Sequence, residues 1–238
     1  MRIHTTEQLL ELLDAIVARS ARGDRSAREA ADFWAATLTG EGHPLNTELP
    51  DENLVDWYDR GLLGDLDGAR GLDVGCGNGR NTRWLAERGA AVHGVDLAAG
   101  LLDRIRPMLP ERVVATALDV LRDDLPEGPF DLVYDSGCFH HVAPHRRATY
   151  LERVLSRLGP GGRFGIVTFA QEHQPSADDA EVLTSGDMAG GASFLLADLE
   201  AIFGSRLKSV ELRPVRTGVS GAFGAGFLNA ALFRREPA

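Results

Sequence analysis

The segment DSGCFHHVAPHRR, Asp135 to Arg147, places an aspartate, a cysteine and three histidines in one short stretch of the chain. Cysteine and histidine bind zinc, but no second pair of ligands follows at the spacing of a zinc finger, and we predict no metal. An imidazole can instead act as a general base near neutral pH, which makes His140 and His141 the candidate catalytic residues. A further possibility is that these rings only form the wall of a pocket, and the sequence favours that interpretation.

A second candidate site is the glycine-rich loop GLDVGCGNGR, residues 71–80. Gly75, Gly77 and Gly79 allow a close approach of the backbone to a ligand and a tight turn into a helix. The G-x-G-x-x-G pattern of dinucleotide-binding loops, counted from Gly75, would require a glycine where this chain has Arg80. Asp73 precedes the loop, and its carboxylate suits a cationic amine better than a pyrophosphate. The loop therefore argues against a nicotinamide-dependent oxidoreductase.

Two further acids follow the next predicted strands of the chain. Asp96 ends the second strand, where a carboxylate can accept hydrogen bonds from both hydroxyls of a ribose. Asp119 ends the third strand and could accept from the amino group of an adenine. Open α/β sheets bind ligands at the carboxyl ends of their strands. Together with Asp73, these acids predict a pocket for an adenosine that carries an amino-acid tail.

The residues above are positioned by short apolar strands that alternate with helices from about residue 70 onward. Alternation at this spacing predicts a mostly parallel sheet covered by helices on both faces. The last two strands have no helix between them and should pair as neighbours, one of them antiparallel. The predicted strands are 69–76, 90–97, 112–120, 130–137, 163–169, 209–217 and 226–235, and the intervening helices are 81–89, 101–109, 145–162 and 194–204.

The first part of the chain has a different texture. Helical patterns over 4–21, 27–38 and 50–63 predict an N-terminal helical extension, residues 1–62, ahead of a main domain at 63–238. Phe33, Trp34, Trp57 and Tyr58 on these helices could cover a ligand, as could the loops 172–194 and 218–226. These segments predict a mixed apolar and aromatic substrate pocket.

Composition limits the classes of partner. The chain of 238 residues has a formal net charge of −10, which argues against a nucleic-acid or anionic-membrane surface. Two cysteines do not make a disulfide framework, so a reducing, cytoplasmic location is expected. The N-terminal residues include acids and lack a long apolar run, so we expect neither a signal peptide nor a membrane anchor. The sequence gives no prediction of oligomeric state.

The combination of LDVGCGNGRNTRWLAERGAAVHGVDL with the later ALDV and FDLVYDSGCFHHV resembles the class I S-adenosylmethionine-dependent methyltransferases. It is most similar in character to the small-molecule subgroup that includes tellurite-resistance and thiopurine methyltransferases, and the resemblance covers about residues 50–235. It implies a Rossmann-like three-layer α/β sandwich with seven strands in the order 3-2-1-4-5-7-6 and the seventh strand antiparallel.

The resemblance also implies which residues hold the cofactor, S-adenosyl-L-methionine. The loop after the first strand would hold the methionine part, the second strand end the ribose and the third the adenine, while the fourth strand end would face the cofactor. In that order the residues are Asp73, Gly75, Cys76, Gly77 and Gly79; Asp96 and Leu97; Asp119 and Val120; Asp135 and Ser136. Cys76 is expected to contribute only its backbone.

These observations predict a methyltransferase that transfers the methyl group by in-line displacement to an O, N or S atom of a small organic molecule. An alternative keeps the cofactor but not the reaction, and describes an S-adenosylmethionine-binding protein that regulates or catalyses something other than methyl transfer. A thiolate acceptor would need little help from a base, whereas an alcohol or phenol would benefit much more.

Overall fold

The computed structural model describes residues 2–19, 25–40 and 44–237. These parts of the chain form a sheet flanked by helices. The strands are β1 Arg70–Val74, β2 Ala91–Asp96, β3 Val113–Ala117, β4 Phe130–Ser136, β5 Leu158–Ala170, β6 Ser193–Phe194, β7 Lys208–Pro214 and β8 Leu228–Arg234. The α-helices are α1 Thr6–Val17, α2 Ala31–Thr37, α3 Glu52–Asp59, α4 Arg80–Glu87, α5 Ala99–Ile105, α6 Arg147–Leu155, α7 Asp179–Ser185 and α8 Leu196–Phe203.

The strands follow the order β3-β2-β1-β4-β5-β8-β7, and β8 is antiparallel to both of its neighbours. Since β1 to β5 pair in parallel, the sheet confirms the predicted α/β fold and the predicted order once the short β6 is left out of the numbering. The short strand β6, which was not predicted, pairs with the part of β5 that extends past β4. The last pair between β4 and β5 is Ser136 with Val167, and the two residues of β6 pair with the part of β5 beyond it.

Two predicted boundaries were wrong around the start of β5. The helix expected over 145–162 ends at Leu155, and Leu158 already pairs with Phe130 of β4. The sequence around Gly159 and Pro160 looked like the end of a helix, but it begins a strand of 13 residues whose register shifts between its first two pairs with β4. In addition, α7 lies within the segment that the sequence analysis treated only as a loop.

Two apolar layers sandwich the sheet. On one side Phe139, Tyr150, Phe164 and Phe203 belong to a fully buried aromatic cluster. A second cluster contains Trp57 from the N-terminal part of the chain, packed with residues of α4, β4 and β8. No helix in residues 2–19, 25–40 and 44–237 is both long and apolar enough to cross a membrane.

The segment around α3 is built into the main sheet. Asp51 forms a parallel β-bridge with Phe223, and Glu52 accepts two hydrogen bonds from Arg213 of β7, at 2.9 and 3.0 Å. Trp57 is completely buried and its indole N–H donates to Glu211, also of β7. This part of the predicted helical extension therefore shares the core of the sheet, whereas α1 and α2 lie outside those contacts.

Candidate functional site

A cavity opens at the carboxyl ends of β1 to β4, where the fold brings the glycine loop, the acids and the N-terminal segment together. Its walls combine residues from all of these elements. The lining residues are Arg25, Ser26, Trp34, Leu38, Leu45, Asp73, Gly75, Cys76, Gly77, Asn78, Arg80, Asn81, Asp96, Leu97, Leu118, Asp119, Val120, Ser136, Gly137, Cys138 and His141.

Asp73 lies in β1 at the deep end of this cavity and is 1% exposed. Thr82 in α4 donates its hydroxyl to Asp73 Oδ2 at 2.5 Å. Burial, reinforced by the negative charges of Asp51 and Asp135, raises the pKa of Asp73 to about 7, although the hydrogen bond from Thr82 opposes this. A cationic group that enters the cavity would relieve this penalty by pairing with the carboxylate.

The glycine loop is fixed to the end of β2 by its own backbone. The N–H groups of Gly75 and Cys76 both donate to the carbonyl of Val95, at 2.8 and 3.0 Å. Gly75 has a φ of +70°, and a Cβ there would lie 2.8 Å from the Cβ of Cys138. Only glycine fits this turn. Gly79 does not line the cavity; it has a φ of +74° and caps the start of α4.

Asp96 joins the glycine loop to the end of β2. Its Oδ2 accepts from the N–H of Gly77 at 2.9 Å, and its Oδ1 accepts from the N–H of Ala98 at 2.8 Å. Burial raises the pKa of this carboxyl, while these backbone hydrogen bonds lower it. A carboxylate has about four acceptor positions, so the two that remain can receive a pair of hydroxyl groups.

The Asp119 carboxylate already has several partners within the protein. Its Oδ1 accepts from the N–H of Leu121 at 2.8 Å, and its Oδ2 accepts from Arg122 at 2.9 Å. Arg28 approaches the same oxygen at 3.7 Å. The carboxylate thus fixes its own turn and anchors two cations, while Val120 beside it lines the cavity.

The end of β4 differs from the expectation that Asp135 and Ser136 both face a cofactor. Ser136 lines the cavity, but Asp135 is fully buried and does not. Its Oδ1 accepts from the N–H of Cys138 at 2.8 Å, and its Oδ2 accepts from the hydroxyl of Tyr150 at 2.5 Å and the N–H of Phe139 at 3.1 Å. Asp135 therefore stabilises the turn after β4 from the side that faces away from the cavity.

The two candidate catalytic histidines form a buried pair. Their Nε2 atoms lie 3.0 Å apart, which requires one imidazole to donate and the other to accept. His140 does not line the cavity and stacks on Phe169 with the ring centroids 3.8 Å apart. Burial lowers the pKa of His140 well below its usual value and that of His141 to about 3. Both rings are therefore neutral near pH 7.

His141 lines the cavity through its ring and not through a free nitrogen. Its Nε2 is engaged with His140, its Nδ1 is buried, and a backbone interaction of Gly190 with this ring opposes the effect of burial on its pKa. A Cβ added to Gly191 would lie 3.1 Å from that Nδ1, so the loop after β5 packs against this side of the ring. In this arrangement neither histidine presents a ring nitrogen to a ligand.

The zinc interpretation of the Asp135–Arg147 segment finds no cluster to support it. The Nε2–H of His145 donates to Oδ1 of Asp14 in α1 at 2.8 Å, so this ring is engaged with a different element. No group of three or more His, Cys, Asp or Glu residues in the described ranges has the arrangement of a metal site.

Several residues of the cavity were not predicted from the sequence. Trp34 was a candidate cover and does line the cavity, but Phe33, Trp57 and Tyr58 do not, nor do the loops 172–194 and 218–226. The cover is formed instead by the residues of α2 and its flanking segments. These are Arg25, Ser26, Trp34, Leu38 and Leu45. Only Trp34 and Leu38 had a signal in the sequence, the helical pattern over 27–38.

Arg80 is a second feature that sequence reasoning missed. In the sequence this position stands out only as the absent third glycine, yet the Arg80 guanidinium is buried and lies 2.6 Å from Asp51. It also donates to the hydroxyl of Ser136 at 3.2 Å. Asn81 exchanges two hydrogen bonds with Asp51, both at 2.9 Å, and Tyr134 donates to the same carboxylate at 2.8 Å. This network fixes the start of α4 against the N-terminal segment.

Comparison with known sequences agrees with this geometry. Residues 72–162, which run from β1 into β5, match the family model described as a methyltransferase domain. An uncharacterized methyltransferase of Synechocystis is 36% identical over 143 residues, covering 59% of this chain and 60% of that protein. One of Mycobacterium tuberculosis is 39% identical over 100 residues, covering 41% of this chain and 39% of that protein. The chain thus spans three-fifths or less of the length of these curated relatives.

Solved structures share the fold over a larger part of the chain. A 1,6-didemethyltoxoflavin-N1-methyltransferase of Burkholderia thailandensis, with that compound and S-adenosylhomocysteine bound, superposes with a TM-score of 0.61 at 23% identity. The match covers 99% of this chain and 92% of that one. An S-adenosylmethionine-dependent methyltransferase of Mesorhizobium loti gives a TM-score of 0.60 at 23% identity, covering 76% and 97%. The chain therefore has the Rossmann-like methyltransferase fold.

Proposed function

We propose that this protein is an S-adenosylmethionine-dependent methyltransferase that acts on an O, N or S atom of a small organic molecule. The observation that carries the proposal is that one cavity joins Asp73, the glycine loop and Asp96 at adjacent strand ends. The buried carboxylate of Asp73 suits an ammonium group. The close-packed backbone of the glycine loop suits a thioether chain, and the spare acceptor positions of Asp96 suit the hydroxyls of a ribose. The match of residues 72–162 to a methyltransferase domain supports the same assignment.

Within this proposal each residue has a defined task. Asp73 would hold the ammonium group of the cofactor, Asp96 with Leu97 its ribose, and Asp119 with Val120 its adenine. The cofactor would supply a methyl group already activated by a positively charged sulfur. The loop of Gly75, Cys76 and Gly77 would lie along the methionine chain through its backbone, with Gly79 turning the loop into α4 and Ser136 at the neighbouring strand end.

The protein's contribution to the reaction would be alignment and the exclusion of water. Displacement at an activated methyl group requires nucleophile, carbon and sulfur to lie in line, and holding reactants in that geometry accounts for much of a rate enhancement. Trp34, Leu38 and Leu45 cover the cavity with apolar surface. The catalytic role predicted for His140 and His141 stays a prediction, and in the present arrangement the pair would have to turn before it could accept a proton from a substrate.

A small-molecule acceptor is the finer part of the proposal. It is supported by the net charge of −10 and by the fold shared with a methyltransferase that has 1,6-didemethyltoxoflavin bound. We place the protein near the small-molecule subgroup that it resembles, in the cytoplasm, and without a nucleic-acid or membrane partner.

Calorimetric titration with S-adenosylhomocysteine, with NADH run in parallel, tests the cofactor. Binding of S-adenosylhomocysteine alone is the expected result. Failure to bind it, in folded protein that carries no ligand from purification, would mean that the loop and its acids serve another molecule. Acceptor-dependent conversion of S-adenosylmethionine to S-adenosylhomocysteine then separates a methyltransferase from a protein that only binds the cofactor.

The role of the histidine pair has its own test. If the pair accepts a proton from the substrate, replacing His140 by Ala should lower turnover and leave the affinity for S-adenosylhomocysteine unchanged. Normal turnover of this variant from about pH 6 to about pH 9 would leave only the wall of the pocket as its role.

A further inference from the structure

Arg25 differs from the other cation of the cavity. Both Arg25 and Arg80 line it, but Arg80 is neutralised by Asp51 at 2.6 Å. No carboxylate among the described residues lies within 4.0 Å of the Arg25 guanidinium. A charged group that loses part of its water without gaining a counter-charge is unfavourable, and an anionic ligand would remove that cost.

The guanidinium of Arg25 is held in place before any ligand arrives. Its central carbon lies 3.8 Å from the centroid of the Phe33 ring, a cation–π contact. The main chain of Arg25 is fixed as well, because its carbonyl accepts from the indole N–H of Trp34 at 2.8 Å. A side chain that is already ordered loses less entropy when it binds, which favours recognition.

Aromatic rings stand beside this cation. The rings of Trp34 and His141 both line the cavity, and their centroids are 4.6 Å apart at an interplanar angle of 61°. Arg25 lines the same cavity as both rings, and its positive charge contributes to lowering the pKa of His141. Burial also lowers the pKa of Arg25 itself. The cavity thus combines the flat rings of Trp34 and His141 with the cationic side chain of Arg25.

We propose that the methyl acceptor is a small planar aromatic molecule with an anionic group, its ring against Trp34 and His141 and its charge on Arg25. This inference rests on the proposed methyl transfer and names the substrate class of the same site. Arg25 would then determine specificity, since a neutral analogue of the acceptor would bring no counter-charge to its guanidinium.

A matched pair of probes tests this assignment: 2-mercaptobenzoate, which is anionic, and its neutral amide 2-mercaptobenzamide. Calorimetry on protein saturated with S-adenosylhomocysteine should show the acid binding at least about tenfold more tightly than the amide, as expected for a hydrogen bond between charged groups. Arg25→Ala should abolish this difference and Arg25→Lys should retain part of it. Arg104→Ala removes an exposed positive charge outside the cavity and should change nothing.

The affinity for S-adenosylhomocysteine is measured first in every variant, so that the two proposals fail separately. If wild-type protein does not bind it, the proposed function is refuted. If it binds, but the acid and the amide bind equally or neither binds, only the assignment of Arg25 is overturned. A loss of S-adenosylhomocysteine affinity in Arg25→Ala would also overturn it, because the arginine would then hold the carboxylate of that ligand.

Discussion

The affinity of the cavity for an amine-bearing ligand should depend on pH through Asp73. Burial and the neighbouring charges of Asp51 and Asp135 raise the pKa of this carboxyl to about 7, against the effect of its hydrogen bond from Thr82. A ligand ammonium pairs with the carboxylate form only. Below the pKa, therefore, the carboxyl has to release its proton when the ligand binds, and part of the binding free energy is lost.

The expected size follows from this pKa. For one group that titrates at about 7, the apparent dissociation constant rises about tenfold for each pH unit below the pKa and is nearly constant above it. S-adenosylhomocysteine should thus bind about tenfold more weakly near pH 6 than near pH 8, a difference of roughly 1.4 kcal/mol. Near pH 6, binding should also release about one proton.

Calorimetry at both pH values measures the two quantities together. Repeating each titration in buffers with different ionisation enthalpies gives the number of protons released. Two controls isolate Asp73. Asp73→Asn keeps an oxygen that can accept from Thr82 but cannot titrate, and 5′-methylthioadenosine keeps the adenosine and the thioether but has no amino group. Neither S-adenosylhomocysteine binding to Asp73→Asn nor 5′-methylthioadenosine binding to the wild-type protein should depend on pH in this way.

Three results would refute this reasoning. Wild-type affinity for S-adenosylhomocysteine could be the same at both pH values. Asp73→Asn could keep the wild-type pH dependence, which would assign it to another group such as Asp96, whose pKa is also raised by burial. Finally, 5′-methylthioadenosine could show the same dependence, which would mean that the amino group of the ligand is not involved.

Three further predictions concern individual residues. Asp96→Ala should weaken S-adenosylhomocysteine binding by about ten- to a hundredfold in calorimetry, and an unchanged affinity would remove Asp96 from the site. In urea denaturation, Gly75→Ala should cost roughly 1 kcal/mol more than Gly61→Ala, since both have similar positive φ but only the first meets Cys138; equal costs would contradict this. Asp14 accepts from two arginines and a histidine, which depress its pKa. Asp14→Asn should therefore lose about 1–3 kcal/mol near pH 7, and the deficit should shrink as pH falls well below 4; a deficit independent of pH would contradict this.

Much of the fold could be predicted because the signals are local. Apolar runs bounded by Gly and Pro located seven strands, and the missing helix between the last two strands indicated that they pair as neighbours. The strand β6 could not be found in this way, since Ser193 and Phe194 are too few to show a period of two residues. The boundary after Leu155 was missed because Gly159 and Pro160 are typical of a helix end as well as of an irregular strand start.

Site residues could be predicted where their place at the end of a strand is enough to bring them together. Parallel strands end at one edge of a sheet, so Asp73 and Asp96 had to lie near one another. Position does not decide which way a carboxylate faces. Asp135 follows a strand in the same manner, but the turn after β4 and Tyr150 take both of its oxygens. Arg25 belongs to a distant part of the chain, and no local pattern could assign it to this cavity.

The attachment of α3 to the last strands has a consequence for the order of folding. Glu52 and Arg213 are 161 residues apart in sequence, and both oxygens of the Glu52 carboxylate accept a hydrogen bond from the Arg213 guanidinium. While the chain is being synthesised, Glu52 emerges long before β7 exists, so α3 cannot dock in its final position. Contacts of such sequence separation are slow to form because their loop must close first. The ion pair of Asp51 with Arg80, which lines the cavity, would accordingly reach its final arrangement late, when nearly the whole chain is available.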